Sequence, residues 1–343
     1  MEKTRLGRTN LEVTKMGLGG IALSTVMGGK DEETINKVIH AALDAGINFI
    51  DTSRVYMDSE TNIGEVMKTR RKECILASKS HRRGYDEVLE DLDESLKELQ
   101  TDKIEIYQIH ELEPDEVSDV MKKGGTLDAF KKAKEQGLID FIGLTSHHTD
   151  VTVEMMKTGE FDTVMFPFNV IEREPEKEIV SLACSKDIGS IVMKALAGGV
   201  IRNIEKCHKF LNGYPLDNVL VGVANLAELE ENLKYAESTE PLTAQELKDF
   251  EDEVAYLGKD FCRRCNYCMP CSNDIIISAM IHLTWQRVKG LSYDELSDDR
   301  KRSGNNLMLW WQACNECGQC EEKCPYDLPT IQRKNDLMKL FSR

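Results

Sequence analysis

Short apolar segments alternating with helix-length amphipathic segments constrain the fold of this 343-residue chain more than any other feature. The candidate strands are 15–20, 47–52, 74–80, 104–110, 141–146, 163–169, 190–196 and 218–224. The spacer 86–100 is typical, because Val88, Leu92 and Leu99 fall on one helical face and the acidic residues on the other. Eight such strands suit a closed parallel barrel, since crossover helices cover the sheet and closure leaves no edge. An open doubly wound sheet is the alternative.

The pattern changes near residue 240. Before the first candidate strand, residues 4–15 (TRLGRTNLEVTK) alternate around an Arg-Thr-Asn turn and predict a hairpin across the bottom of the barrel. After residue 240 strand signals vanish, whereas cysteines and helical segments such as 274–290 become frequent. We therefore predict an α/β chain with a (β/α)8 TIM barrel at 1–240 and a smaller, mainly helical domain at 241–343.

Charge and hydropathy restrict the partners. The net charge of −16 argues against nucleic acid, because nucleic-acid binding relies on clustered Lys and Arg. No apolar run approaches the roughly 18 residues of a membrane-spanning helix, and the polar N-terminus does not resemble a secretion signal. We expect a cytoplasmic protein that binds neither nucleic acid nor membrane.

Eight of the 11 cysteines lie between residues 262 and 324, in two short runs. The second run, CNECGQCEEKCP, has the C-x2-C-x2-C-x3-C-P spacing of bacterial ferredoxins, in which three cysteines bind one iron–sulfur cluster and the fourth binds its neighbour. The first run, CRRCNYCMPC, is one residue short of that pattern in its last gap. The spacing predicts two [4Fe-4S] clusters.

The ligand assignment follows from the same pattern. Cross-ligation gives one cluster Cys262, Cys265, Cys268 and Cys324, and the other Cys314, Cys317, Cys320 and Cys271. If each run closed its own cluster, the ligand set would be unchanged. Structural zinc is the alternative, since four cysteines at short spacing also form a tetrahedral site.

Four titratable side chains follow the candidate strands at the carboxyl ends, where parallel barrels place their reactive groups. Asp51 ends the second strand and Tyr56 lies on the loop beyond it, whereas Lys79 and His110 end the third and fourth strands. Each alone is compatible with a structural role. Together they predict a catalytic site on one rim.

The chain resembles the aldo-keto reductases over roughly residues 4 to 237. The resemblance rests on RLGRTNLEVTKMGLGG, FIDTSRVYMDSETNIG, ILASKS, DKIEIYQIH, GLIDFIGLTS and VLVGVANLAELEEN. It implies that Tyr56 is the general acid toward a small carbonyl or alcohol substrate. It also implies that Lys79, paired with Asp51, favours the phenolate of Tyr56, and that His110 orients the carbonyl.

The resemblance further implies a nicotinamide cofactor bound without the usual dinucleotide fingerprint, and GLGG at 17–20 lacks the spacing of that fingerprint. We expect the phosphates near the loops at 194–199 and 224–232, although the glycines of the first loop are equally compatible with a tight turn. The cofactor positions implied by the family are Thr145, Ser146, Met193, Gly222, Asn225, Glu228 and Asn232.

Several of these positions depart from the family pattern. The family's amide-binding pair aligns with Thr145 and Ser146, and its nicotinamide-stacking tyrosine with Met193. Gly222 and Glu228 replace the basic residues that hold the 2′-phosphate of NADPH. A carboxylate repels a phosphate, so we expect NAD(H) over NADP(H), with flavin as an alternative carrier. His147 and His148 extend the fifth strand toward the same rim, and we expect them to be solvent-exposed.

Our leading interpretation is therefore an oxidoreductase that interconverts a carbonyl and an alcohol and carries a fused dicluster ferredoxin-like domain. Clusters exchange single electrons whereas nicotinamide exchanges hydride, so coupling requires a two-electron gate and a ferredoxin-like or flavoprotein partner. The second interpretation is an electron-transfer module whose barrel serves as a scaffold or partner-binding surface. A zinc-stapled reductase is the third.

Overall fold

The computed structural model describes residues 1–28, 30–236, 240–255, 257, 261–263, 268–281, 288, 290–324 and 326–342. The chain divides into two compact units, Met1–Leu247 and Lys248–Arg343. The predicted boundary near residue 240 lies a few residues before this division. Cys265, and much of the helix predicted over 274–290, fall outside the described residues.

Eight parallel strands form the closed barrel that the sequence predicts, in the spatial order β10-β3-β4-β5-β6-β7-β8-β9. The strands are β1 (Lys3–Arg5), β2 (Glu12–Thr14), β3 (Met16–Gly19), β4 (Phe49–Asp51), β5 (Ile75–Ser80), β6 (Ile104–Ile109), β7 (Ile139–Thr145), β8 (Thr163–Pro167), β9 (Gly189–Met193) and β10 (Asn218–Val221). Pairing of β10 with both β3 and β9 closes the ring. Closure therefore excludes the open-sheet alternative.

Helices follow the barrel strands on the outside, as a parallel barrel requires. The helices of the first unit are α1 (Thr25–Gly28), α2 (Glu32–Asp44), α3 (Ser59–Arg70), α4 (Tyr85–Glu98), α5 (Val117–Met121), α6 (Thr126–Glu135), α7 (Thr149–Thr158), α8 (Ser181–Lys186), α9 (Ile204–Asn212) and α10 (Leu226–Ala236). A π-helical turn, Glu176–Val180, precedes α8, and α11 (Ala244–Val254) contains the division between the units.

Strands β1 and β2 form the predicted antiparallel hairpin, with Lys3 opposite Thr14. Leu6 and Val13 are fully buried and pack against the apolar layer inside the barrel. Gly7 has a φ of +46°, and a side chain there would collide with the backbone of Gly189 at the start of β9. The hairpin therefore closes the end of the barrel where the strands begin.

One apolar layer fills the barrel next to this hairpin. Its buried members are Phe49, Ala77, Ile106, Met165, Ile191 and Leu220, each from a different strand. Successive side chains of a strand point to opposite faces, so residues two apart share the inward face. The inward rows of β4, β5 and β6 consequently continue as Asp51, Lys79 and Gln108. The packing of the core thus places polar groups at the open end.

The second unit is helical where it is described. Its helices are α12 (Ile277–Met280), α13 (Asp298–Trp311), α14 (Gln319–Glu322) and α15 (Thr330–Phe341). Trp311, Ile281 and Leu337 are fully buried in its apolar core, and α13 contacts α15. Six cysteines of the two runs pack against this core: Cys262, Cys268, Cys271, Cys314, Cys320 and Cys324.

Among the residues that the structure describes, no helix combines the length and apolar character needed to cross a membrane.

Candidate functional site

The four predicted catalytic side chains lie together at the open end of the barrel. The Nζ atom of Lys79 donates to Oδ1 of Asp51 at 2.5 Å and lies 4.9 Å from the ring centroid of Tyr56. The rings of Tyr56 and His110 are 5.6 Å apart between centroids and nearly perpendicular. Tyr56 is partly exposed, whereas the other three are buried. The phenol is thus the member of the group nearest to solvent.

Asp51 and Lys79 form a buried ion pair. Lys79 also donates to the carbonyl oxygen of Thr52 at 2.6 Å, and Gln108 donates to Oδ2 of Asp51 at 2.7 Å. Burial raises the pKa of Asp51, and the two donors offset part of this increase. Burial lowers the pKa of Lys79, but the charges of Asp51 and Tyr56 outweigh burial and raise it overall. Both oxygens of the Asp51 carboxyl group lie within hydrogen-bonding distance of a donor, which favours its charged form.

His110 is a neutral imidazole. Burial, followed by the positive charge of Lys79, lowers the pKa of His110 well below its ordinary value. Its Nδ1 atom lies 2.9 Å from the hydroxyl oxygen of Ser53. This contact fixes the ring and is compatible with either tautomer, because the hydroxyl, which also lies 3.3 Å from the carbonyl oxygen of Lys79, can donate to Nδ1 or accept from it.

Ser53 and Gln108 are site residues that our sequence analysis did not identify. The period-two rule would have found them, because Ser53 lies two residues after Asp51 and Gln108 two residues before His110. Room for Gln108 comes from Gly143 on β7, where an added Cβ would lie 2.6 Å from the Gln108 side chain. A glycine inside a strand is therefore a usable signal of a polar group opposite it.

A second chain of hydrogen bonds lies beside His110. Lys194 Nζ is 3.2 Å from Nδ1 of His147, and Nε2 of His147 is 3.0 Å from Oε1 of Glu111. The ammonium can only donate, so the His147 proton lies on Nε2 and is donated to Glu111. His81 stacks edge-on against His110 with 5.6 Å between ring centroids. These side chains also contribute to the charge environment of His110.

The prediction that His147 and His148 are solvent-exposed is wrong. Their side chains are 4% and 5% exposed, because each lies against a glutamate on the loop after β6. His148 lies 3.0 Å from Glu113, and this hydrogen bond is the main cause that raises the pKa of His148. Such tertiary partners are invisible in the local sequence.

The hydroxyl groups of Thr145 and Ser146 are occupied within the barrel. Thr145 Oγ1 accepts from the backbone nitrogen of Glu111 at 2.7 Å, and Ser146 Oγ donates to the carbonyl oxygen of Leu112 at 2.8 Å. Both residues are 1% exposed. They position the loop that carries Glu111, and their role in holding a cofactor remains a prediction.

The other cofactor positions lie near the carboxyl ends of β9 and β10. Asn225 Oδ1 accepts from the backbone nitrogen of Glu228, and Glu228 accepts from the backbone nitrogen of Ala224, so the two side chains cap α10 reciprocally. Gly222 and Glu228 are exposed and Met193 is partly exposed. Asn232 is buried and bonds to His208 at 3.1 Å, which places it between helices.

Five of the seven described cysteines of the two runs line one pocket of the second unit. The thiols that line it are Cys268, Cys271, Cys314, Cys317 and Cys320. Ile277 and Ile331 supply an apolar wall. The lining brings both Cys268 and Cys271 to the three cysteines of the other run, so the pocket is shared by the two runs and the cross-ligated assignment stays a prediction. Cysteine thiolates are the ligands that a [4Fe-4S] cluster requires, although within the described ranges no group of three or more His, Cys, Asp or Glu side chains is close enough together to hold a metal ion.

The family comparison favours iron over zinc in this unit. A family model described as a 4Fe-4S dicluster domain matches residues 261–329. This range contains all eight cysteines of the two runs. The match supports iron–sulfur clusters as its cofactors.

The barrel is similar to known oxidoreductases. Aldo-keto reductase YhdN of Bacillus subtilis is 31% identical over 216 residues, covering 59% of this chain and 64% of the relative. L-galactose dehydrogenase of Arabidopsis thaliana is 26% identical over 289 residues, covering 71% of this chain and 90% of the relative. The chain thus spans less than two thirds of the Bacillus relative.

Solved structures share the barrel. A putative aldo-keto reductase from Pseudomonas aeruginosa has 25% identity and a TM-score of 0.62, over 68% of this chain and 94% of that structure. Aldo-keto reductase AKR11C1 from Bacillus halodurans, in its holo form, has the same fold at 24% identity and a TM-score of 0.64, over 74% and 96%. A model of the aldo/keto reductase family matches residues 15–212, more than half of the 343 residues. With its closed barrel and this match, the chain belongs to the aldo/keto reductase family.

Proposed function

We propose that the chain is an oxidoreductase that interconverts a carbonyl and an alcohol, with Tyr56 as the general acid and base. The observation that carries the proposal is the meeting of Tyr56, Lys79 and His110 at the open end of the barrel. A phenol alone has a pKa near 10 and is a poor acid at neutrality. The neighbouring ammonium provides the cation that favours its phenolate.

In carbonyl reduction, the Tyr56 hydroxyl donates its proton to the carbonyl oxygen as that oxygen becomes negative. Lys79 stabilises the phenolate left behind, and Asp51 keeps Lys79 protonated at 2.5 Å. In the reverse direction the phenolate accepts the alcohol proton. Tyr56 therefore transfers one proton to or from the substrate oxygen, and Lys79 and Asp51 support that transfer.

His110 orients the carbonyl. This role requires a proton on Nε2, so the Ser53 hydroxyl donates to Nδ1 across their 2.9 Å contact. A neutral imidazole donor polarises the carbonyl without placing a second full charge beside Lys79. The lowered pKa of His110 is consistent with this state.

A bound nicotinamide would supply hydride to the carbonyl carbon. Gly222, Asn225 and Glu228 would hold its nucleotide at the start of α10, with Met193 beside the ring. The Glu228 carboxylate accepts from a ribose hydroxyl but repels a 2′-phosphate, so we propose NAD(H) over NADP(H). Thr145 and Ser146 would contribute mainly by positioning the loop after β6, to which their hydroxyl groups are hydrogen-bonded.

The second unit would hold two [4Fe-4S] clusters and pass single electrons to or from a ferredoxin-like or flavoprotein partner in a reducing cytoplasm. We propose the cross-ligated assignment on the ferredoxin-type spacing, in which the fourth cysteine of a run binds the neighbouring cluster; Cys271 lines the pocket of Cys314, Cys317 and Cys320, as does Cys268. Cys271→Ser and Cys317→Ser should then each damage the same cluster, so that the double variant loses no more iron than either single variant. Additive iron loss would contradict this assignment.

A Tyr56→Phe variant tests the catalytic proposal. Loss of the proton donor should reduce the rate of carbonyl reduction by about 10²–10⁴-fold, while reduction of the clusters by dithionite stays unchanged. Tyr214→Phe is the matched control, because Tyr214 precedes the start of β10, whereas Tyr56 follows the end of β4. Unaltered turnover of Tyr56→Phe would overturn the proposal.

One observation favours the second candidate function, an electron-transfer module with a scaffold barrel. The hydroxyls of Thr145 and Ser146, expected to hold the nicotinamide amide, are engaged within the barrel. Nicotinamide and flavin analysis of anaerobically purified protein separates the candidates. If the protein contains neither nicotinamide nor flavin, and if the rate of turnover is unchanged in the Tyr56→Phe variant, the scaffold function is supported.

A further inference from the structure

Glu316 and Lys334 form an ion pair at the wall of the cysteine-lined pocket. Glu316 lies between Cys314 and Cys317 in the chain and lines the pocket itself. Its Oε1 atom is 2.7 Å from the Nζ atom of Lys334. Ile331, one helical turn before Lys334 on α15, also lines the pocket. Residues three apart share one face of a helix, so Lys334 lies on the face of α15 that faces the thiols.

The two members of this pair differ in exposure, since the Glu316 side chain is 46% exposed whereas Lys334 is buried. Lys334 is only 9% exposed, and lysine is almost never buried unless it is paired. Glu316 has a φ of +58°, a left-handed conformation that costs a non-glycine residue free energy. Strained backbone and a buried cation therefore coincide beside the proposed cluster ligands.

We propose that this ion pair tunes the reduction potential of the cluster bound by Cys314, Cys317 and Cys320. The inference rests on the clusters of the proposed function. One-electron reduction makes a cluster more negative, and cluster potentials depend on nearby net charge. Lys334 stabilises the reduced state and Glu316 opposes it. Electron uptake involves no bond or proton change in either side chain.

The two charges give predictions of opposite sign. Lys334→Met leaves Glu316 uncompensated and should disfavour cluster reduction by about tenfold in the equilibrium constant, which is 59 mV toward lower potential for one electron. Glu316→Gln leaves Lys334 uncompensated and should shift the potential upward by a similar amount. If the contact only held the segment of Glu316 against α15, the two variants would not shift the reduction potential in opposite directions.

Redox titration of the full-length protein under anaerobic conditions, followed by electron paramagnetic resonance, measures both shifts. Lys334→Arg keeps the charge and should retain the wild-type potential, and the double Lys334→Met, Glu316→Gln variant should return toward it. Lys339→Met is the matched control, because Lys339 is exposed on the same helix. Iron and sulfide content verifies that each variant holds its clusters.

Shifts of the same sign in the two single variants, or potentials equal to wild type at full iron content, would overturn the inference. If Lys334→Met loses iron, the inference is tested by Glu316→Gln alone. The absence of an upward shift of the reduction potential in that variant would then overturn the inference. Zinc without iron in the wild-type protein would instead overturn the cluster assignment of the proposed function. The two failures are thus distinguishable.

Discussion

Lys79→Met should destabilise the barrel as well as abolish catalysis. The substitution leaves Asp51, which is 2% exposed, without the ammonium that donates to it at 2.5 Å. Breaking a buried ion pair from one side costs about 3–5 kcal/mol. For a unit of this size, each kcal/mol lowers the midpoint of thermal unfolding by roughly 2–4 °C, so this midpoint should fall by about 6–20 °C. Asp51→Asn together with Lys79→Met removes both charges, so it should recover much of this stability without recovering activity.

Thermal unfolding of the full chain provides the assay. Far-UV circular dichroism follows mainly the barrel, whereas Trp285, Trp310 and Trp311 all lie in the second unit and report on it separately by fluorescence. Lys37→Met is the control, since its exposed pair with Glu33 should contribute no more than about 0.5 kcal/mol. A Lys79→Met protein within about 1 kcal/mol of wild type, or a double variant less stable than both singles, would refute the reasoning.

Three further predictions concern the rim. Ser53→Ala removes the 2.9 Å contact to His110 and should lower kcat/KM about tenfold with little change in stability, whereas an unchanged value would remove Ser53 from the mechanism. Glu113→Gln keeps an acceptor for His148 but removes the carboxylate charge, so it weakens the hydrogen bond and the attraction that raise the pKa of His148. A histidine whose pKa is higher in the folded state than in the unfolded state stabilises the folded protein at pH values below the unfolded-state pKa, which is near 6.5. This contribution to the free energy of unfolding is lost as the pH rises through the folded-state pKa. The unfolding free-energy gap between wild type and Glu113→Gln should therefore be larger near pH 6 than near pH 8.5, and equal gaps would contradict it. Glu228→Gln retains the cap of α10 but not its charge, so the ratio of kcat/KM for NADPH to that for NADH should rise; a constant ratio would exclude electrostatic selection.

The barrel was predictable because each strand is a nearly continuous apolar run, which only a sheet covered on both faces explains. β6 illustrates this: its prediction at 104–110 differs from Ile104–Ile109 by one residue. The catalytic group was predictable for a related reason, since strand ends of a parallel barrel converge on one rim.

Residues whose importance depends on long-range partners were not predictable. Lys194 and Glu111 both contact His147, and the three lie on loops after three different strands. Thr145 was expected to face a cofactor, yet its hydroxyl is bound by the neighbouring loop. Local sequence specifies the face of the strand on which a side chain lies, but it does not specify which distant backbone nitrogen will donate a hydrogen bond to that side chain.

The hairpin that closes the far end of the barrel has a kinetic consequence. With Leu6 and Val13 fully buried there, we expect small molecules to reach Tyr56 through the open end. Hydride carrier, substrate and product would then share one passage, in which the molecule bound deeper cannot leave before the molecule bound above it. We expect compulsory-order kinetics, with the carrier arriving first and departing last.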